Sequence, residues 1–170
     1  PDFEQGNVDS ISQIHNLFDS LYDLLNQDTR LKKEMGSVVR RIREGQFLLN
    51  DPKRYFIREG DLTKKGSKLG RSTTYHFFLF SDLLVYTKPL STHNEYKILD
   101  EFPLYMTKIV DWFPPNKPKL KMAFSIHHPR KSLLVYCNSE QEKREWVRSI
   151  QNAILSQCQW LSNVDPNVRR

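Results

Sequence analysis

The spacing of apolar positions changes twice along the chain. From Ser10 to Asn26 (SISQIHNLFDSLYDLLN), Ile11, Ile14, Leu17, Phe18, Leu21, Leu24 and Leu25 recur at steps of three and four. Such steps lay one apolar stripe along a helix. Ser10 with Gln13 offers a capping box, and Asn26 a stop. A second helix is predicted from Asp28 or Thr29, with Leu31, Met35, Val38, Val39 and Ile42 on its apolar side and Gly45 as its terminator. Gly36 within it costs about 1 kcal/mol relative to alanine.

From Asp51-Pro52 onward the pattern becomes that of strands. Tyr55–Lys64 reads as extended and is followed by a loop, KGSKLGRST. Thr74–Pro89 (TYHFFLFSDLLVYTKP) gives two strands turning at Ser81-Asp82. Segments 96–104, 107–112, 119–127 and 131–138 follow, separated by FPPNKPK and HHPRK punctuation. Seven short strands without an intervening helix favour an antiparallel barrel or sandwich. The chain then turns helical again. Ser139-Glu140-Gln141-Glu142 forms a capping box with acids in the first turn, and Trp146, Val147, Ile150, Ala153 and Ile154 form a buried stripe. After Gln157 the period fades.

The expected fold is therefore α+β and mainly β. A seven-stranded antiparallel barrel or sandwich is capped by a C-terminal helix and preceded by a helical extension. The segments are 1–50 for the extension, 51–157 for the β domain and 158–170 for a linker. Phe77, Phe78, Leu79 and Phe80 put apolar rings and chains on both faces of one strand, so both faces need covers. Trp146 and its neighbours are the expected lid.

Composition narrows the function. The 170 residues are 38% hydrophobic and 27% charged, ordinary for a globular domain. Apolar runs are too short to span a bilayer. Cys137 and Cys158 lack a paired motif and read as reduced thiols of an intracellular protein. Charge is uneven: residues 1–28 carry six acids and no Lys or Arg, and the remainder carries +12 of the net +6. A basic body preceded by an acidic segment points to an anionic partner.

Catalytic and metal chemistry find no support. His127 and His128 are adjacent and point to opposite faces of a strand, so they cannot share a metal. There is no Gly-rich phosphate loop and no paired-acid motif. No cofactor is expected. Nucleic-acid binding needs exposed stacking aromatics beside the cations, and the aromatics here are assigned to the core.

Seven strands closed by one capped, tryptophan-bearing helix resemble a pleckstrin homology (PH) domain. EGDLTK (59–64) is similar to its first strand, YHFFLFSDLLVY to its second hairpin, and EQEKREWVRSIQNAI (140–154) to its last helix. A narrower resemblance is to the PH domain behind the Dbl-homology domain of Rho-family guanine-nucleotide exchange factors. Arg54-Tyr55-Phe56-Ile57-Arg58-Glu59-Gly60 fits the junction of that family, and residues 29–45 would be the end of its last exchange helix.

The resemblance implies a non-enzymatic module, cytoplasmic and peripheral at the membrane, that contacts a Rho-family GTPase through its parent protein. It further implies a phosphoinositide or other anionic lipid at a basic rim. Lys64 matches the first-strand lysine of that rim, while the second-strand basic pair falls on Thr74 and His76. Lys65, Lys68 and Arg71 lie in the following loop, and Lys88, Arg130 and Lys131 are placed at the same rim. Such a loop also reads as a solvated hairpin tip. The rival to a membrane anchor is a protein-interaction module contacting the GTPase, the exchange domain or a scaffold.

Overall fold

A computed structural model describes residues 2–65, 72–91, 94–111 and 120–164, with side chains assigned except at 2–12, 65 and 159–164. Helix α1 runs unbroken over Asp2–Arg40, where the sequence suggested two helices. The breaks expected at Asn26 and Asp28 are bridged locally. The Thr29 hydroxyl donates back to the Leu25 carbonyl at 2.9 Å, and Lys32 reaches Asp28 at 2.6 Å across one turn. Residues with weak helix preference and a satisfied side chain do not stop a helix.

α1 ends at Arg40, five residues before Gly45. Glu44 adopts a left-handed φ of 61°, and a short 3-10 helix follows over Gly45–Leu49. A Cβ on Gly45 would stand 2.9 Å from Ile42 Cβ. This glycine serves a close approach and is not a helix cap.

Eight strands follow one another through β1 (Ile42–Arg43), β2 (Phe56–Lys65), β3 (Ser72–Phe80), β4 (Leu83–Pro89), β5 (Tyr96–Pro103), β6 (Lys108–Val110), β7 (Ala123–His128) and β8 (Lys131–Tyr136). Their order is β1-β5-β4-β3-β2-β8-β7-β6. The sheet is open, whereas the sequence suggested a seven-stranded closed form. The added strand is the two-residue β1, parallel to β5 through Ile42↔Tyr96 and Arg43↔Lys97. Two residues are too few to show alternation. β1 exists because the chain leaving α1 offers the Arg41 carbonyl to the Tyr96 amide at 2.8 Å. A 3-10 turn, Leu104–Met106, links β5 to β6.

Helix α2 spans Glu140–Val164, seven residues past Gln157. Its capping box is formed: the Glu142 amide donates to Ser139 Oγ at 3.1 Å, and the Asn138 amide to Glu142 Oε2 at 2.8 Å.

The two faces of β3 enter different cores. Phe77 and Leu79 pack with Leu62, Phe102, Phe124, Ile126, Trp146 and Ile150. Trp146 is wholly buried, and a Cβ on Gly60 would lie 3.4 Å from its ring. Phe78 and Phe80 pack instead with Met35, Val38, Val39, Ile42 and Leu48. Trp146 thus covers one face, as expected. The cover of the other face is the end of α1, a role the sequence had left unassigned.

Cys137 is buried and Cys158 exposed. Burial pushes the Cys137 thiol up to about 12. In the native chain at pH 8, one thiol should react with an aromatic disulfide reagent, and two after denaturation. Because the folded thiol holds its proton above the pKa of the unfolded one, Cys137 contributes stability that is complete below about pH 8.5 and declines toward pH 12. Equilibrium unfolding of Cys137→Ala should lack that alkaline decline.

Candidate functional site: the helix junction and the basic rim

The junction between α1 and the sheet is locked by two ion pairs. Arg41, directly after α1, pairs with Glu59 of β2 and lies over the rings of Phe78 and Tyr96 at 5.5 and 5.9 Å. Arg54, directly before β2, grips Asp82 in the β3–β4 turn through two 2.6 Å hydrogen bonds and reaches the Leu48 carbonyl at 3.3 Å. The hydrogen bond to Asp82 raises the Arg54 pKa. Planar, bidentate pairs of this kind fix orientation as well as distance.

His76 joins the same network. On β3 it stands opposite Asp61, and its Nδ1 lies 2.6 Å from Asp61 Oδ1 while Nε2 lies 3.3 Å from Glu59 Oε2. Its ring stacks on Tyr96 with centroids 4.4 Å apart. Glu59 and Asp61, two apart on β2, share the face on which His76 sits. The place where the resemblance looks for a phosphate ligand therefore holds an imidazole between two carboxylates.

Arg130 and Lys131 are turned to protein partners. Lys131 Nζ donates to the Tyr86 hydroxyl at 2.6 Å and lies 3.7 Å from Asp100. That hydrogen bond raises the lysine's pKa. Arg130 lies 3.5 Å from Asp100 and donates to the Glu101 carbonyl. The amide of Glu101 in turn donates to Asp100 Oδ1 at 3.0 Å. Pro103 has no amide hydrogen, and its carbonyl accepts from Thr107 Oγ1 at 2.8 Å. Beyond the two residues paired with β1, the outer edge of β5 is thus blunted by Asp100, Arg130, Pro103 and Thr107, which protects it from pairing with another strand.

Lys64 and Lys88 remain at the end of the sheet where the 66–71 connection departs. Lys64 is half-buried and Lys88 exposed. The Lys65 side chain, Lys68 and Arg71 lie outside the described residues, as does most of the second basic run near Lys117. So the structure brings His76, Arg130 and Lys131 into internal contacts and leaves Lys64 and Lys88 facing outward. Sequence reading missed the junction pairs of Arg41 and Arg54. Its available signal was the alternation Glu59-Gly60-Asp61, a run of acids on one strand face that demands cationic or imidazole neighbours.

Residues 56–155 match the family model for the PH domain. The chain belongs to the PH domain family. Among related proteins, it is 32% identical over 108 residues to FERM, ARHGEF and pleckstrin domain-containing protein 1 of Gallus gallus, covering 61% of this chain and 10% of that protein. It is 30% identical over 118 residues to FYVE, RhoGEF and PH domain-containing protein 3 of Mus musculus, covering 65% of this chain and 15% of that protein. This PH chain spans about a tenth of the length of the first of these and somewhat more of the second.

Solved structures with the same fold include the PDZ-RhoGEF DH/PH domains in complex with GTP-gamma-S activated RhoA, at TM-score 0.60 and 18% identity, over 75% of this chain and 40% of that one. The linker-DH/PH domains of p115-RhoGEF match at TM-score 0.56 and 16% identity over 84% of this chain and 43% of that one. Coverage of 84% exceeds what residues 56–170 can supply, so part of the region before β2 overlays as well. Among the described residues no helix is long and apolar enough to cross a membrane.

Proposed function

We propose that this chain is the non-catalytic PH module at the end of an exchange domain in a Rho-family guanine-nucleotide exchange factor, and that it holds the last exchange helix in a fixed attitude to an anionic membrane surface. The observation that carries the reading is the junction. α1 passes directly into the sheet through a shared apolar core, with Arg41–Glu59 and Arg54–Asp82 on its flanks. A linker meant only to tether would not need that core.

The free part of α1 supports the same reading. Ile14, Leu17, Phe18, Leu21, Leu24 and Leu25 are each more than half exposed. A stripe of that size on a helix wants a cover, and the other helices of an exchange bundle would supply it. A parent of this class would bring the module to a Rho-family GTPase.

The membrane contact is loose in this reading and rests on Lys64, Lys65, Lys68, Arg71 and Lys88. Each cation near an anionic leaflet contributes about 1 kcal/mol, and salt screens it. His76, Asp61 and Glu59 argue against stereospecific headgroup capture, since a phosphate there would meet two carboxylates. Vesicle sedimentation tests this. Lys64, Lys65, Lys68 and Arg71 replaced together by alanine should lower vesicle partitioning at least about tenfold. Phosphoinositide and phosphatidylserine vesicles of equal surface charge should bind the native chain alike. Binding indifferent to the four substitutions removes the membrane role. It leaves the rival reading, a module for protein contact, which the internal pairing of His76, Arg130 and Lys131 favours.

A further inference from the structure

At the end of the sheet opposite Lys64 lies a groove of about 870 Å³. It runs between the 50–55 segment, the β3–β4 turn, the Pro103–Tyr105 corner and the end of α2 at Ser156 and Gln157. A second hollow of about 630 Å³ continues it past Phe47 and Glu101, which line both. Phe47, Tyr55 and Tyr105 present their rings to this channel and are 37, 39 and 59% exposed.

We infer that this groove is a docking site for a proline-rich extended peptide of another protein carrying arginine or lysine. Three observations select that occupant. First, the strand edge beside the groove is closed to an incoming strand, because the amide and carbonyl of Glu101 and the carbonyl of Pro103 are taken by Asp100, Arg130 and Thr107. A guest gains no ladder of backbone hydrogen bonds there and must be held through side chains.

Second, exposed rings along a channel suit polyproline II segments, which have no internal backbone hydrogen bonds and little entropy to lose. Third, charge is complementary. The 870 Å³ groove is lined by Asp51, Asp82 and Glu101 against Lys53 and Arg54, a net −1 on a body that carries +12 from residue 29 to 170. Arg54 is already committed to Asp82. Among the described residues, Glu101 has no ion-pair partner for its carboxylate and is free to meet a cation of the guest.

Fluorescence anisotropy of the full chain with three labelled decapeptides tests the site. One is proline-rich with two arginines, the second has those arginines replaced by glutamate, and the third has its prolines replaced by alanine. The first should bind with a Kd of roughly 100 μM. Tyr105→Ala and Glu101→Gln should each weaken it about fivefold or more, with circular dichroism and unfolding midpoint confirming an intact fold. The glutamate peptide should bind about tenfold more weakly. Absence of saturable binding by the arginine peptide, or indifference to both substitutions, overturns the proposal. Equal binding of the alanine peptide assigns the groove to an apolar helix, and equal binding of the glutamate peptide removes the charge argument. Either result overturns the proposal too.

Discussion

Trp146→Ala should destabilise the domain by about 3–5 kcal/mol, the range for removing a large buried aromatic side chain, and so leave it largely unfolded at 37 °C. Trp146 is fully buried, its ring meets Phe77 edge-on at 6.5 Å, and the Arg58 guanidinium lies 4.3 Å over it. Gly60 lets β2 approach the ring to van der Waals distance. The hole left by alanine could not collapse, because strands on one side and α2 on the other hold its walls. Trp146→Phe should recover more than half of the loss. Urea unfolding monitored by far-UV circular dichroism reads both, and a Trp146→Ala loss under about 1 kcal/mol would mean that α2 is not the lid of this core.

Arg54→Ala is the second large effect, at about 2–3 kcal/mol. The guanidinium and its Asp82 partner are mostly enclosed, with side chains 13 and 23% exposed. Removing the cation leaves a carboxylate with its desolvation uncompensated. The same substitution frees the Leu48 carbonyl and unties the segment between α1 and β2 from the β3–β4 turn. A double-mutant cycle with Asp82→Ala separates the pair from its surroundings. Arg54→Ala with Asp82→Ala should cost clearly less than the sum of the single losses. Hydrogen exchange of the 48–56 amides should rise in Arg54→Ala while that of β7 and β8 stays unchanged. Uniform exchange across the domain would show that the pair supports the whole fold and not the junction.

The β domain was legible because its residues carry their own signals. Alternation gave the strands, Ser139 with Glu142 gave the start of α2, and the Trp146 stripe gave its inward face. The continuity of α1 was not legible, since Asn26 and Asp28 have weak helix preference and only the local bonds of Thr29 and Lys32 carry the helix through. Nor was β1, whose two residues depend on a carbonyl supplied by the chain just past α1.

The basic rim shows a different limit. Counting cations located the +12 body correctly but said nothing about who neutralises them. Arg130 and Lys131 sit near Asp100 only because β5 and the β7–β8 turn meet in space. The partner of His76 was nearer to hand, because β2 and β3 form a hairpin and Asp61 falls directly opposite it. A reading that followed the hairpin register would have removed His76 from the list of free cations.

The 39 residues of α1 make a rod about 58 Å long, clamped only at its final turns. Any tilt at the clamp is multiplied along the shaft: about 5° at Ile42 moves the far tip by about 5 Å. A change too small to notice at Arg41 or Arg54 thus becomes a side chain's width of travel at the other end. Whatever surface is mounted there is steered by the stiffness of a few residues beside the sheet.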